Sequence, residues 1–278
     1  MGLPRVQEIM DQHPVSINSN DYVTHARQLM RDYHRTLPVV DERNIVLGIL
    51  SEQDVLNVTS TKSNVTVKGY TTEVPVITGD MDLKQAATTM LQAMTSLVPV
   101  LTSIEERKLC GTLSILDIFN NLDPSKMPEM HVSELMTQNV KTCSGEDPVA
   151  KVWTNMMREG YSGYPVVDKH NIPVGMVTRH DIIRTGGVRI EREDEHGTRI
   201  GTSSTVSRIM STPAYTITPD TSFKETIELM AKLDVGRLCV INPNELVGII
   251  DRYDVVRAYI DEKNKHDPSS GISIQQRN

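Results

Sequence analysis

The chain has 278 residues, 38% apolar and 23% charged, with a formal net charge of -7 and a pI ≈ 5.6. That composition suits a chain with a packed core, and the acidic balance argues against a surface built to cover nucleic-acid phosphates, which needs an excess of Lys and Arg. The longest apolar runs, such as 45–50 and 246–250, fall far short of the ~20 residues that a membrane-spanning helix requires.

Val6 and Ile9-Met10 form a short apolar opening, followed by the β-prone run His13-Pro14-Val15-Ser16-Ile17 and a polar turn. Val23, Ala26, Met30 and Tyr33 then recur at helical spacing. Two strand-length apolar runs come next, Leu37–Val40 and Gly48–Leu50, separated like a hairpin by Asp41-Glu42-Arg43-Asn44. A second short helix starts near Asp54. After the polar stretch Thr59–Thr66 the order repeats without a methionine-bearing opening: a β-prone run at Val74–Thr78, strands at Val98–Leu101 and Gly111–Leu113, and a helix start at Asp117.

Past Asp123–Lys126 the third segment opens with Val132 and Leu135-Met136 and has a β-prone run at Asn139–Thr142. Its helix carries Val149, Val152, Trp153, Met156 and Met157 on one stripe. Strands at Tyr164–Val167 and Gly175–Val177 and a helix at Asp181–Arg184 complete it. A Gly-, charge- and Ser/Thr-rich stretch, Gly186–Thr205, leads to the fourth segment. There Val206 with Ile209-Met210, Ala214–Ile217, a stripe of Phe223, Ile227, Met230 and Leu233, strands at Leu238–Ile241 and Gly248–Ile250, and a helix at Asp254–Arg257 follow in the same order. The methionines in these stripes read as core filler.

The chain is therefore four copies of one β-α-β-β-α unit, an α+β class, bounded at 6–58, 67–122, 132–185 and 206–259, with a flexible tail at 262–278. One unit of ~60 residues buries too little surface to stand alone, so pairing is expected. Cys110, Cys143 and Cys239 are isolated and form no CxxC, which argues against a disulfide framework and a thiolate zinc site and fits a reducing cytoplasm. The first residues hold no apolar signal core and no myristoylation pattern, so no export is expected.

Each copy ends in Gly-apolar-apolar-polar-x-x-Asp: Gly48 to Asp54, Gly111 to Asp117, Gly175 to Asp181 and Gly248 to Asp254. Ser51, Ser114 or Thr178 followed three residues later by Asp is a helix capping box. The same geometry suits a nucleotide, because a helix start offers amides to a phosphate and a carboxylate accepts both hydroxyls of a ribose. In the fourth copy Asp251 replaces the hydroxyl residue. A second carboxylate disfavours phosphate there, leaving an N-cap, an empty site, a less anionic ligand or a bridging cation as readings.

With its fourfold signature, the chain resembles the cystathionine-β-synthase (CBS) domain family, whose members pair as Bateman modules. The resemblance covers nearly the whole chain and extends to stand-alone archaeal four-repeat proteins and the gamma subunit of AMP-activated protein kinase. It implies two modules in a flat disc that bind adenosyl ligands between repeats. It assigns Asp54, Asp117, Asp181 and Asp254 to ribose, and Ser51, Ser114 and Thr178 to the ribose or phosphate. Arg35 and Arg237, just before the middle strand, stand where the gamma subunit places phosphate-binding side chains, whereas Ser96 and Ser162 occupy that place in copies two and three. Arg179 and His180 would add charge, and copy one, with Arg35, is best furnished for phosphate.

The implied function is regulatory sensing of AMP, ADP or ATP, with or without Mg, through a ligand-dependent change of shape, and no catalytic constellation is read. Alternatives are a sensor of S-adenosylmethionine, methylthioadenosine or a dinucleotide, or a metal-dependent nucleotide hydrolase using Asp251 and Asp254. Expected partners are an adenosine-containing small molecule, with a regulated protein or a homodimer left open, and neither membrane nor nucleic acid.

Overall fold

The computed structural model describes residues 4–32, 35–58, 65–75, 77–123, 129–185, 192–193, 199–200 and 204–265. Tyr33, most of the three linking stretches and the tail beyond 265 lie outside the described residues. Repeat 1 comprises α1 (Val6–Ile9), β1 (Ile17–Asn18), α2 (Val23–Asp32), β2 (Thr36–Val40), β3 (Val46–Ser51) and α3 (Glu52–Asn57). Repeat 2 comprises a 3-10 turn at Val67–Tyr70, then β4 (Ile77–Thr78), α4 (Leu83–Gln92), β5 (Leu97–Leu101), β6 (Leu109–Ser114) and α5 (Ile115–Asn120). Repeat 3 follows as α6 (Val132–Leu135), β7 (Cys143–Ser144), α7 (Val149–Glu159), β8 (Gly163–Val167), β9 (Pro173–Thr178) and α8 (Arg179–Arg184). A small antiparallel pair, β10 (Arg192–Glu193) and β11 (Arg199–Ile200), precedes repeat 4. That repeat has a 3-10 turn at Val206–Arg208, then β12 (Thr216–Ile217), α9 (Phe223–Leu233), β13 (Arg237–Ile241), β14 (Leu246–Asp251) and α10 (Arg252–Lys265). The final helix thus takes in the first four residues assigned from sequence to the tail, 262–265.

Every repeat builds one three-stranded sheet whose first strand runs parallel to the second and whose second and third form an antiparallel hairpin. The first strands keep only two residues, because a parallel partner must be reached across a helix and the chain turns away at once. In repeat 3 the paired residues are Cys143–Ser144 and not the expected 139–142. Cys143 pairs with Val166 as Ile17 does with Val39, Ile77 with Val100 and Ile217 with Val240. A small buried thiol thus takes the isoleucine position, which β-propensity alone does not reveal.

The helical stripes bury as their spacing predicts: Val23, Ala26 and Met30 on α2, Val149, Val152 and Met156 on α7, and Phe223, Ile227 and Met230 on α9. Each large apolar side chain so enclosed stabilises the fold by roughly 1.5–3 kcal/mol. Trp153 and Met157 lie half-buried against the same core.

The openings do not serve their own repeats. Val6 packs with repeat 2 and its amide donates to the Met81 carbonyl, while Val67 packs with repeat 1 and donates to Asp21. Val132 joins repeat 4 and Val206 joins repeat 3 in the same exchange. Copy two therefore has an opening after all, a 3-10 turn around Val67 in which Thr71 does what methionine does elsewhere.

That exchange explains the signature glycine. A Cβ on Gly175 would lie 2.7 Å from the Ser211 carbonyl and 3.1 Å from Met210 Sδ, and one on Gly48 would run into the Thr72 carbonyl and Thr71. Gly111 and Gly248 meet Met10 and Met136 in the same way. The glycine is thus a point of close backbone approach between paired repeats.

Repeats 1 and 2 are joined sheet to sheet, where Val40, Val46, Leu101 and Leu109 form a small core and the Asn44 amide group donates to the Leu109 carbonyl at 3.0 Å. Asn171 and Leu246 repeat that bond at 3.2 Å between repeats 3 and 4. The larger cores run the other way. Repeats 1 and 3 share one, built on Met30, Leu56, Met156 and Ile182, and repeats 2 and 4 share the other, built on Met90, Phe119, Val255 and Tyr259. Two sheet contacts within modules and two helical contacts between modules close the four repeats into a ring.

Candidate functional site

All four signatures form helix caps. The amide and hydroxyl of Ser51 donate to Asp54 Oδ2 at 2.7 and 2.6 Å, and the Asp54 amide donates back to Ser51 Oγ at 3.3 Å. Ser114 with Asp117 and Thr178 with Asp181 repeat this box almost atom for atom. Asp251 caps differently: its Oδ1 accepts the amides of Tyr253 and Asp254 at 2.8 and 3.1 Å, and its own amide donates to Asp254 Oδ2 at 3.1 Å.

The cap engages Oδ2 of each signature aspartate, so a ligand would have to use Oδ1. Asp54 and Asp117 are half-buried, but Asp181 is only 5% exposed, with its Oδ1 3.7 Å from Arg184 Nη2. A ribose there would displace the exposed Arg184 guanidinium, a small cost for a surface ion pair. Because α3, α5 and α8 have six residues each, few aligned peptide dipoles stand behind these caps. Charge for an anion has to come from side chains.

Strand register sorts the two candidate arginines. Arg35, Ser96, Ser162 and Gly236 are equivalent, each giving its carbonyl to the first amide of the following helix. Arg237 stands one residue further on, paired with Asp251 as Thr36 is with Ser51, Leu97 with Ser114 and Gly163 with Thr178. The two arginines are thus not counterparts, since one step along a strand turns a side chain to the opposite face. Arg35 is exposed at the strand entrance. Arg237 is half-buried and spans the gap between repeats 4 and 3: its Nε lies 3.7 Å from Asp251 Oδ2, and its Nη2 donates to Ser162 Oγ. Arg237 Nη1 and Thr178 Cγ2 lie 3.2 and 3.1 Å from where a Cβ of Gly163 would stand. The guanidinium tip and Thr178 of the third cap thus border the same space beside Gly163.

His180 turns from its own repeat toward repeat 1. His180 Nδ1 lies 3.0 Å from Oε1 of Glu52, the buried residue after the Ser51 cap. Arg179 is 8% exposed, and its Nη2 donates to the Met156 carbonyl. Burial lowers its pKa most; Arg237 adds to that, and Glu52 and Asp54 oppose it. Arg179 therefore feels Arg237 of repeat 4 and Glu52 and Asp54 of repeat 1, and His180 beside it pairs with Glu52, whereas Ser114 and Asp117 form the cap of repeat 2. Glu52 escaped sequence reasoning because an acid in the first turn reads as helix capping; its cross-module partner lies 128 residues away.

Asp254 faces Asp251 at the fourth cap. Burial, and then the Asp251 charge, push its carboxyl up to about 7. Arg257 Nη1 lies 3.9 Å from its Oδ1. Two surface hollows of the first module, one lined by Gly48, Glu73, Pro99 and Arg107 and the other by Met10, Asp80, Ser103 and Cys110, include no cap residue. Among the described residues no group of three or more His, Cys, Asp or Glu could hold a metal ion, and no helix is long and apolar enough to cross a membrane.

Comparison with known proteins matches this geometry. The CBS domain model fits residues 6–60, 67–123, 132–186 and 206–261. The chain is 28% identical over 272 residues to the uncharacterized protein MJ1404 of Methanocaldococcus jannaschii, covering 93% of this chain and 62% of that protein. It is 27% identical over 142 residues to a homoserine O-acetyltransferase of Methanococcus vannielii, covering 51% of this chain and 26% of the enzyme. The chain thus spans less than two thirds of the length of both. Among solved structures, MJ1225 of M. jannaschii superposes with a TM-score of 0.78 at 22% identity, over 92% of this chain and all of that one. A conserved protein of Pyrococcus horikoshii superposes with 0.63 at 25% over the same shares. Four family matches, each coinciding with one β-α-β-β-α unit and its cap, establish that the chain belongs to the CBS domain family, with its four repeats arranged as two Bateman modules.

Proposed function

We propose that the chain is a regulatory sensor of an adenosine nucleotide, AMP, ADP or ATP, which binds in the clefts between paired repeats and alters the face offered to a protein partner. Family membership supports a small-molecule sensing role, and one observation favours a phosphorylated ligand. Arg237 crosses from repeat 4 to Ser162 and lies beside the Thr178–Asp181 cap. A guanidinium fork next to a carboxylate cap offers phosphate and ribose their two complementary partners in one cleft. Ligand binding there would also bear on repeat 1, because Arg179 follows Thr178 directly and lies in the field of Glu52 and Asp54. A ligand that favours one arrangement of these contacts shifts the balance between module arrangements.

Titration calorimetry tests the reading. The chain is expected to bind AMP, and Arg237→Gln to weaken AMP by about 10- to 100-fold, the worth of one charge-assisted contact, with adenosine affinity unchanged. Absence of binding by AMP, ADP, ATP and adenosine alike would refute it.

A further inference from the structure

We infer that the cap of repeat 4 is a phosphate-excluding site that accepts the unphosphorylated adenosine moiety, so that the two caps of the second module take ligands of different charge. The inference rests on the adenosine reading above and adds a ligand class for one cap.

Three features carry it. First, Asp251 performs the capping task with Oδ1 alone, accepting the Tyr253 and Asp254 amides. Its Oδ2 carries charge to a position where the other three repeats place a neutral hydroxyl, on Ser51, Ser114 or Thr178. Second, the nearest guanidinium offsets that charge only through Nε, 3.7 Å from Asp251 Oδ2, and leaves no free fork for an incoming anion at the fourth cap. Arg237 is extended between Asp251 Oδ2 and Ser162 Oγ, with its Nη atoms on the third-repeat side. Of the two other arginines here, Arg257 lies 3.9 Å from Asp254 with its side chain 43% exposed, where solvent screens it, and Arg252 turns away to Asp234 at 3.1 Å and to the Phe119 ring. Third, burial first and the Asp251 charge second push the Asp254 carboxyl up to about 7, so the cap lies in a poorly hydrated place where a further negative charge also loses solvation.

A phosphate monoester carries close to two negative charges at neutral pH, whereas a nucleoside has none and still offers its hydroxyls to Asp254 Oδ1. The first module has no such pair. Thr36 and Leu97 stand at the register position of Arg237, and Ser51 and Ser114 at that of Asp251. The charge selection is therefore specific to the second module.

Binding stoichiometries of the full chain for AMP and for adenosine test this directly. The wild type is expected to bind one more adenosine than AMP. Asp251→Asn keeps an acceptor for both amides and removes the charge, and should gain one AMP per chain while adenosine stays the same. Should that variant lose its cooperative thermal transition, Asp251→Ser restores the residue type of the other caps and carries the same expectation. Equal AMP and adenosine stoichiometries in the wild type, or an unchanged AMP count in the folded variants, would overturn the inference alone. An extra wild-type AMP site that opens on adding Mg2+ would overturn it in favour of a bridging cation. No binding of adenosine or AMP would overturn this inference, and failure of ADP and ATP to bind as well would overturn the sensor reading with it.

Discussion

At Asp254, two carboxylates share a helix cap, and the pair yields a pH signature that needs no ligand. Its folded pKa of about 7 stands above the ordinary value of 3.8. Between these values the folded chain holds a proton that the unfolded chain has released, so unfolding free energy falls as pH rises through that window. The contribution is complete below about pH 4 and gone above about pH 7. Asp254→Asn keeps a side-chain oxygen for the Asp251 amide and removes the titration. Its melting temperature should match the wild type near pH 4.5 and exceed it at pH 8, by a margin on the order of 1–3 kcal/mol in stability. Parallel melting curves against pH would show that Asp254 titrates normally. The aspartates themselves were legible from their fourfold spacing, as was the capping box, because a cap is made within four residues. The reach of Arg237 is not, since its partner Ser162 belongs to another repeat, 75 residues away.

Among the secondary-structure elements, the hairpins and the long helices of repeats 1, 3 and 4 are legible in the sequence. Their signals are local: a stripe at helical spacing, or two apolar runs around a polar turn. The failures share a cause, namely elements stabilised by partners distant in sequence. The Val67 turn packs into repeat 1, and its lack of a methionine hid it. The two-residue strand Cys143–Ser144 exists only because β8 pairs with it. The signature glycine belongs to the same class. Gly175→Ala should force a Cβ against the Ser211 carbonyl and cost about 1–3 kcal/mol, read by chemical denaturation. Gly69→Ala, which meets nothing within 4 Å, should stay within about 0.5 kcal/mol of the wild type. A neutral Gly175→Ala would mean that the opening segment is not held where it packs.

The cores shared by repeats 1 and 3 and by repeats 2 and 4 make the ring of four the folding unit more than either module. Residues 1–128 alone would leave the apolar faces of α2, α3, α4 and α5 uncovered, a patch of the kind that drives association. Such a half-chain is expected to run as a dimer or larger species in light scattering, with residues 129–278 converting it to a 1:1 complex. A stable monomeric half-chain would show that the helical cores matter less than the sheet contacts.

Four repeats, their β-α-β-β-α order and their carboxylate caps follow from the chain alone, because periodicity and capping are written in neighbouring residues. Sequence could not tell which repeats share a core, since similar apolar stripes on similar repeats offer no means of choosing between partners. Nor could it place His180 against Glu52, or Arg237 against Ser162. Those contacts join residues 75 and 128 positions apart, and only the packing of whole helices and sheets brings them together.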